Sequence, residues 1–221
     1  MEPVHLDRCI LYGIEAVIGV EVVETLARAS IKVHGSVLDG SPDWNLESLD
    51  PVAPDSIPSD WLDLPCLVTR SWPGLRKIRQ QEAEKKGFSN FFSLIDPTAI
   101  IPQAFTYGSG CFINAGAIIG GQAVFGDSVY VNRGVTIGHH VQLADYVTVG
   151  PGANIASSVQ VGAGAMIGTG ATIIPKVKIG SNSIVAGGTN VHRDVPPNVL
   201  VAGNPAVIKK TDIAGYKGYS V

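Results

Sequence analysis

The sequence predicts a small α/β domain followed by a parallel β-helix, and three observations lead there. From Ala99 the chain divides without a gap into units of six residues, and the third member is aliphatic or aromatic sixteen times in succession, from Ile101 to Val191. The last three places of each unit are rich in Gly, Asn, Ser and Asp, and most of the 26 glycines lie beyond residue 107. Ahead of the repeat, strand-like and helix-like segments alternate with no six-residue period.

A period of six has a direct physical reading. One β-branched or aromatic residue per unit points inward, two or three residues make a short strand, and the small polar residues turn the corner. Three sides close a coil of about eighteen residues, and coils stack at about 4.8 Å, the spacing of neighbouring strands. The first place of each unit is small (Ala, Val, Ser, Cys), with Phe105 the exception, as a residue beside a crowded corner would be. Each coil buries its core only against its neighbours, so both ends need caps.

Before the repeat, residues 8–13 read as a buried strand ending at Gly13, residues 19–29 as a helix and residues 31–39 as a second strand. After Pro51, Pro54 and Pro58, the run WLDLPCLVT is a candidate third strand. Residues 73–87 read as a helix with Pro near its start and Gly after its end. Strand–helix–strand order predicts a parallel α/β domain of the nucleotide-binding sort. The domain boundaries expected are 1–96 for this part, 97–195 for the β-helix and 196–221 for a tail.

The bulk numbers exclude several classes. A net charge of −3 gives no basic footprint for nucleic acid, and the N-terminus has neither the profile of a signal peptide nor that of a membrane span. Cys9, Cys66 and Cys111 are odd in number and lack metal-site spacing, which fits reduced thiols in a cytoplasmic protein.

The repeat, together with ILYG, HGSVLDG, the helix carrying Arg76, FFSLIDPTA, VNRGVTIGHH and DVPPNVLVAGNPAVIKK, resembles the hexapeptide-repeat acetyltransferases. The likeness is to the branch containing bacterial nucleotide-amino-sugar N-acetyltransferases and sialic-acid O-acetyltransferases. It implies a left-handed β-helix, a homotrimer with sites between subunits, acetyl-CoA as co-substrate and a nucleotide sugar as acceptor. It also implies a Gly-rich turn after the first strand, where this chain has Ile14, Glu15 and Ala16. Gly13 and Asp39 then fall at family positions that contact the nucleotide; Asp39 is equally well explained as the Asp of a DG turn.

His139 and His140 occupy the fifth and sixth places of VTIGHH and should both project outward. In the family a His at the place of His139 is the general base; Asn132 stands seven residues before it and PGA begins twelve after, as the family pattern has it. An imidazole, with an ordinary pKa of about 6.5, can take a proton from an attacking amine at neutral pH. His140 falls where the family has an acidic partner, so either a carboxylate from elsewhere substitutes, with Asp145 one candidate, or the base works unaided. The resemblance further assigns Thr148 to the thioester, the backbone amide near Ser157 to the oxyanion, and Thr169 and Gly187 to CoA. His192 reads as part of the end of the helix.

Two other readings fit the sequence less well. A zinc site of three histidines needs one more His in the middle coils than the sequence supplies. A hydroxyl acceptor, such as a sialic acid, needs a better base than an amine does, and the missing acidic partner tilts the reading toward an amine.

Overall fold

The computed structural model describes residues 6–14, 16–38 and 49–221, so Glu15 and Asp39 lie outside the described residues. The N-terminal part is a three-stranded parallel sheet with β1 (Arg8–Ile14) in the middle, β2 (Lys32–Leu38) on one side and β3 (Cys66–Val68) on the other. Between β1 and β2 runs α1 (Ala16–Arg28), and after β3 comes α2 (Pro73–Lys86). The sequence places α2 well because its ends are written in it: Pro73 opens the helix, and Gly87 closes it at φ 109, donating its N–H back to Ala83 and Glu84. The first helix begins three residues earlier than its apolar spacing indicates, and the third strand is only the CLV of WLDLPCLVT, because Ser59–Trp61 forms a 3-10 turn instead.

Side chains alternate across β1. Cys9, Leu11 and Ile14 pack with Ile18, Val22 and Leu26 of α1, whereas Ile10 and Tyr12 pack with Ala83 and Phe88 at the α2 side. Burial pushes the Cys9 thiol up to about 12 and the Cys111 thiol to about 11, so these cysteines behave as small apolar residues.

The rest of the chain is a left-handed parallel β-helix of about six turns. Strand partners are eighteen residues apart as far as Asn190–Val191, as in Thr136↔Asn154 and Gln142↔Gln160, and the last coil is two residues shorter, pairing Ile184 with Leu200. The first face carries Leu94–Ile95, Phe112–Ile113, Tyr130–Val131, Thr148–Val149, Met166–Ile167 and Ile184–Val185, and continues into Leu200–Ala202 and the antiparallel Val207–Lys210. The second face runs from Ile118–Ile119 to Asn190–Val191, and the third from Phe105–Tyr107 to Lys178–Ile179.

Two places per unit point inward rather than one. Val129, Val135, Val141 and Val147 at the first place are as fully buried as Val131, Ile137 and Val149 at the third. The first place is small because it shares the narrow interior with the larger third-place residue. The stripe also has an end: Ile101 and Tyr107 are 36% and 45% exposed, because no earlier coil covers them.

The corners follow two separate rules. The sixth place lies in the left-handed region in coil after coil, at Gly134, His140, Tyr146, Gly152 and Ser158 among others. The fourth place is often Gly for a different reason, steric rather than conformational. A Cβ on Gly138 would stand 2.6 Å from the backbone nitrogen of Ser157 on the next coil. Stacking at strand spacing leaves no room for it.

The outward residues of the first face, Leu94, Phe112 and Tyr130, are buried in the same cluster as α1 and β1. This face therefore belongs to the N-terminal part, which leaves the other two faces open. Ile118 and Val124 stand outward on them at 44% and 47% exposure.

Candidate active site

The corner between the second and third faces carries His139 and His140. Strand Thr136–Ile137 ends there, and Gln142–Leu143 begins just beyond. Both histidines are exposed, and their rings meet edge to face at 83° with Nδ1 to Nδ1 at 2.8 Å. The neighbouring coils put Gly121 and Ser157 on the same corner: the N–H of His140 donates to the Gly121 carbonyl, and the N–H of Ser158 donates to the His139 carbonyl. A Cβ at Gly121 would meet nothing within 4 Å, so the space on that side of His139 is open.

Ser157 lies on the next coil at the same corner, with its backbone nitrogen against Gly138. The amides of Ala156 and Ser158 are taken by Ile173 and His139, while that of Ser157 donates to no described protein group. Because Gly138 has no Cβ, this N–H is left uncovered beside His139. Backbone donors fixed in this way cost no reorganisation when charge develops on a carbonyl oxygen. The third face begins directly after His140 and holds a groove of about 650 Å³ along Val124, Gln142, Gln160 and Lys178.

Other assigned residues sit elsewhere. Thr169 and Gly187 lie on the corner between the first and second faces, stacked on each other, with the N–H of Gly188 donating to the Thr169 carbonyl. Within one chain the second face separates them from His139. Asp145 lies on the third corner, between the third and first faces, where its Oδ1 accepts the N–H of Asp127. It therefore cannot partner His139 in the same chain.

Thr148 also departs from its assignment. Only 1% exposed, its hydroxyl donates to the Ser71 carbonyl at 2.9 Å and accepts from Arg76 at 3.0 and 3.1 Å. The second place of the first face points toward the N-terminal part, so Thr148 holds the two parts together and does not face the His139 corner.

Arg76 is fully buried, reaches the carbonyls of Arg70, Ser71, Ser128, Tyr146 and Val147, and lies over the Tyr130 ring at 4.1 Å. Its position in a familiar motif marked it, but nothing in the sequence said that it docks one domain on the other. The same holds for Asp96 of the LIDPTA segment. Burial alone would push its carboxyl up, yet hydrogen bonds from Arg28, from the side chain and amide of Thr98, and from Thr25 hold it well down, at about 2. Glu21 of α1 likewise pairs with Arg133 on the β-helix.

In the N-terminal part, Gly13 is buried and has φ 66, and the register of β1 against β2 shifts there. A cavity of about 320 Å³ opens beside it at the carboxyl ends of the strands, lined by Tyr12, Leu38, Asp55, Arg79, Glu82 and Lys86. Open α/β sheets hold ligands at this end. Its charges are paired, Arg79 with Glu82 and Lys86 with Asp55. At the far end of the β-helix, His192 lines a second cavity of about 400 Å³ with Arg193, Pro205 and Ala206. Among the described residues no three His, Cys, Asp or Glu side chains gather as metal ligands do, and no helix is long and apolar enough to cross a membrane.

Comparison with known proteins fits this architecture. Residues 158–193 match the family model described as bacterial transferase hexapeptide (six repeats). A mutant of perosamine N-acetyltransferase from Caulobacter crescentus with one histidine replaced by asparagine, in complex with CoA and GDP-perosamine, is 28% identical. The match covers 91% of this chain and 97% of that one, with a TM-score of 0.83. The acetyltransferase domain of PglB from Neisseria gonorrhoeae, in complex with acetyl coenzyme A, has the same fold at 24% identity, with a TM-score of 0.81 over 92% and 99% of the two chains. WeeI from Acinetobacter baumannii shares it at 24% identity, with a TM-score of 0.77 over 91% and 99%. No curated protein sequence gives a significant match. Six-residue repeat, three-faced sheet topology and whole-length likeness together give this chain a left-handed β-helix of hexapeptide repeats behind an α/β part, the architecture of the perosamine N-acetyltransferase.

Proposed function

We propose that the protein transfers an acetyl group from acetyl-CoA to the amino group of a nucleotide-linked amino sugar, in bacterial surface glycan synthesis, with His139 as general base. The observation that carries this reading is the whole-length likeness to an N-acetyltransferase that holds CoA and GDP-perosamine. The outward His139 beside an uncovered backbone amide supplies the chemistry such a reaction needs.

The amine nitrogen attacks the thioester carbon while Nε2 of His139 takes its proton. The N–H of Ser157 donates to the carbonyl oxygen as it gains charge. The carbon–sulfur bond then breaks, and His139 returns the proton to the leaving thiolate. The protein contributes position and fixed dipoles at each step. Residues 1–96 hold the sugar nucleotide at the carboxyl ends of their strands, with Gly13 giving close backbone approach. Residues 97–195 carry the transfer, and 196–221 close the far end.

The active assembly is a homotrimer in the cytoplasm. In its support, Thr169 and Gly187 lie on a different corner from His139, so a CoA held by both needs a corner from a second chain. The open faces also carry Ile118 and Val124, apolar residues of the kind that interfaces cover.

Thiol release from acetyl-CoA, measured across UDP-, GDP- and dTDP-linked 3-amino and 4-amino sugars and matched hydroxyl acceptors, tests the reading. Turnover of one amino sugar is the expected result. Turnover of hydroxyl acceptors alone would make the protein an O-acetyltransferase, and failure to bind acetyl-CoA would end the acetyltransferase reading.

A further inference from the structure

Among the described residues, the corner that carries the base has no carboxylate within its own chain. The fifth places before and after His139 on this edge are Gly121, Ser157 and Pro175, and Asp145 is committed on another edge. The side chain that meets His139 is His140. Adjacent residues at a turn ordinarily diverge, but here the chain turns through a left-handed His140 (φ 59) and the two rings converge, Nδ1 against Nδ1 at 2.8 Å.

Two ring nitrogens at that distance are held by one shared proton: one must be N–H and the other a lone pair. Taking His139 as the base of the reaction above, we infer that His140 is its positioning residue. The lone pair of His140 Nδ1 accepts the Nδ1–H of His139, which leaves Nε2 of His139 unprotonated and turned to the acceptor amine. A neutral imidazole alone in water carries its proton mainly on Nε2, the wrong nitrogen for this task. Which nitrogen bears it in a protein is set by the partner of the other.

The proton count closes around this pair. When the amine loses its proton to Nε2, His139 becomes an imidazolium, and its Nδ1–H bond to His140 becomes charge-assisted and shorter. When the proton passes on to the thiolate, the pair returns to its starting state. His140 gains and loses no proton and serves as a neutral acceptor throughout. It thereby does the orienting work of a carboxylate without supplying a counter-charge.

The test is the ring nitrogen spectrum of the full chain with 15N-labelled histidine, in which His139 is identified by its absence in H139A. His139 should be the Nδ1–H tautomer in its neutral form and shift toward Nε2–H in H140A. H140N should keep the wild-type tautomer, because an Asn Oδ1 at the same branch can accept the bond. In the transfer assay H140A should lower kcat by roughly 10-fold at unchanged KM for acetyl-CoA, with H140N recovering most of it. A wild-type His139 protonated on Nε2, or a tautomer indifferent to H140A, would overturn the inference. The spectrum needs no substrate, so the expected tautomers would support the pairing even where no acceptor is turned over, a result that would count instead against the acetyl-transfer reading.

Discussion

Arg28 of α1 grips Asp96 at the entrance to the β-helix, with Nε at 2.8 Å and Nη2 at 2.6 Å from the same carboxylate oxygen. Thr25 donates to that oxygen too, at 2.9 Å, while the other takes the amide and hydroxyl of Thr98 at 2.9 and 2.6 Å. One carboxylate thus ties the first helix to the first coil, and its side chain is wholly buried.

This clasp predicts a pH dependence. The folded carboxyl sits at about 2, below the ordinary value of about 3.9. A lowered folded pKa contributes stability that is present above the unfolded pKa and is lost as pH falls through the folded one. The contribution is on the order of 2 kcal/mol. Thermal melts should decline between about pH 4 and pH 2 in the wild type. D96N should start less stable and lack that decline; an identical decline in D96N would assign the acid sensitivity to other groups.

Arg76 and Thr148 should matter for stability rather than for cofactor binding. R76M leaves several buried carbonyls without their donor and should cost roughly 3 kcal/mol in urea unfolding. T148V should cost about 1 kcal/mol and leave KM for acetyl-CoA unchanged. A tenfold rise in that KM would restore Thr148 to the thioester.

His139→Ala should reduce transfer by about 10²–10⁴-fold with the circular dichroism spectrum and assembly size unchanged. Turnover near the wild-type rate would remove His139 as the base.

Gly138→Ala places a methyl 2.6 Å from the Ser157 nitrogen and should destabilise the coil stack by about 1–3 kcal/mol. It should also lower kcat, since the same methyl covers the proposed oxyanion donor. Gly121→Ala, one coil earlier and with open space around it, should leave the melting temperature within about 1 °C of wild type. Equal damage from both substitutions would mean that the corner is sensitive for some other reason.

The sequence by itself determined the β-helix, because a period of six with an inward residue is a local pattern that leaves few ways to bury it. It also determined α2, whose Pro73 and Gly87 mark its ends, and the outward corner that carries His139. Tertiary structure alone decided what the outward residues of the first face do. Phe112, Tyr130 and Thr148 repeat with the same spacing as Ile118 and Val124, yet the first set is buried by α1, β1 and α2 while the second stands exposed. Period six tells inside from outside but does not tell one face from another. For the same reason Asp145 was open as a partner of His139 until the corners were assigned, since six residues along the chain move a side chain to the next edge of the triangle. The convergence of His139 and His140 lies beyond the pattern as well: it depends on a left-handed backbone at one residue, which the repeat permits for Gly, Ser, Tyr and His alike.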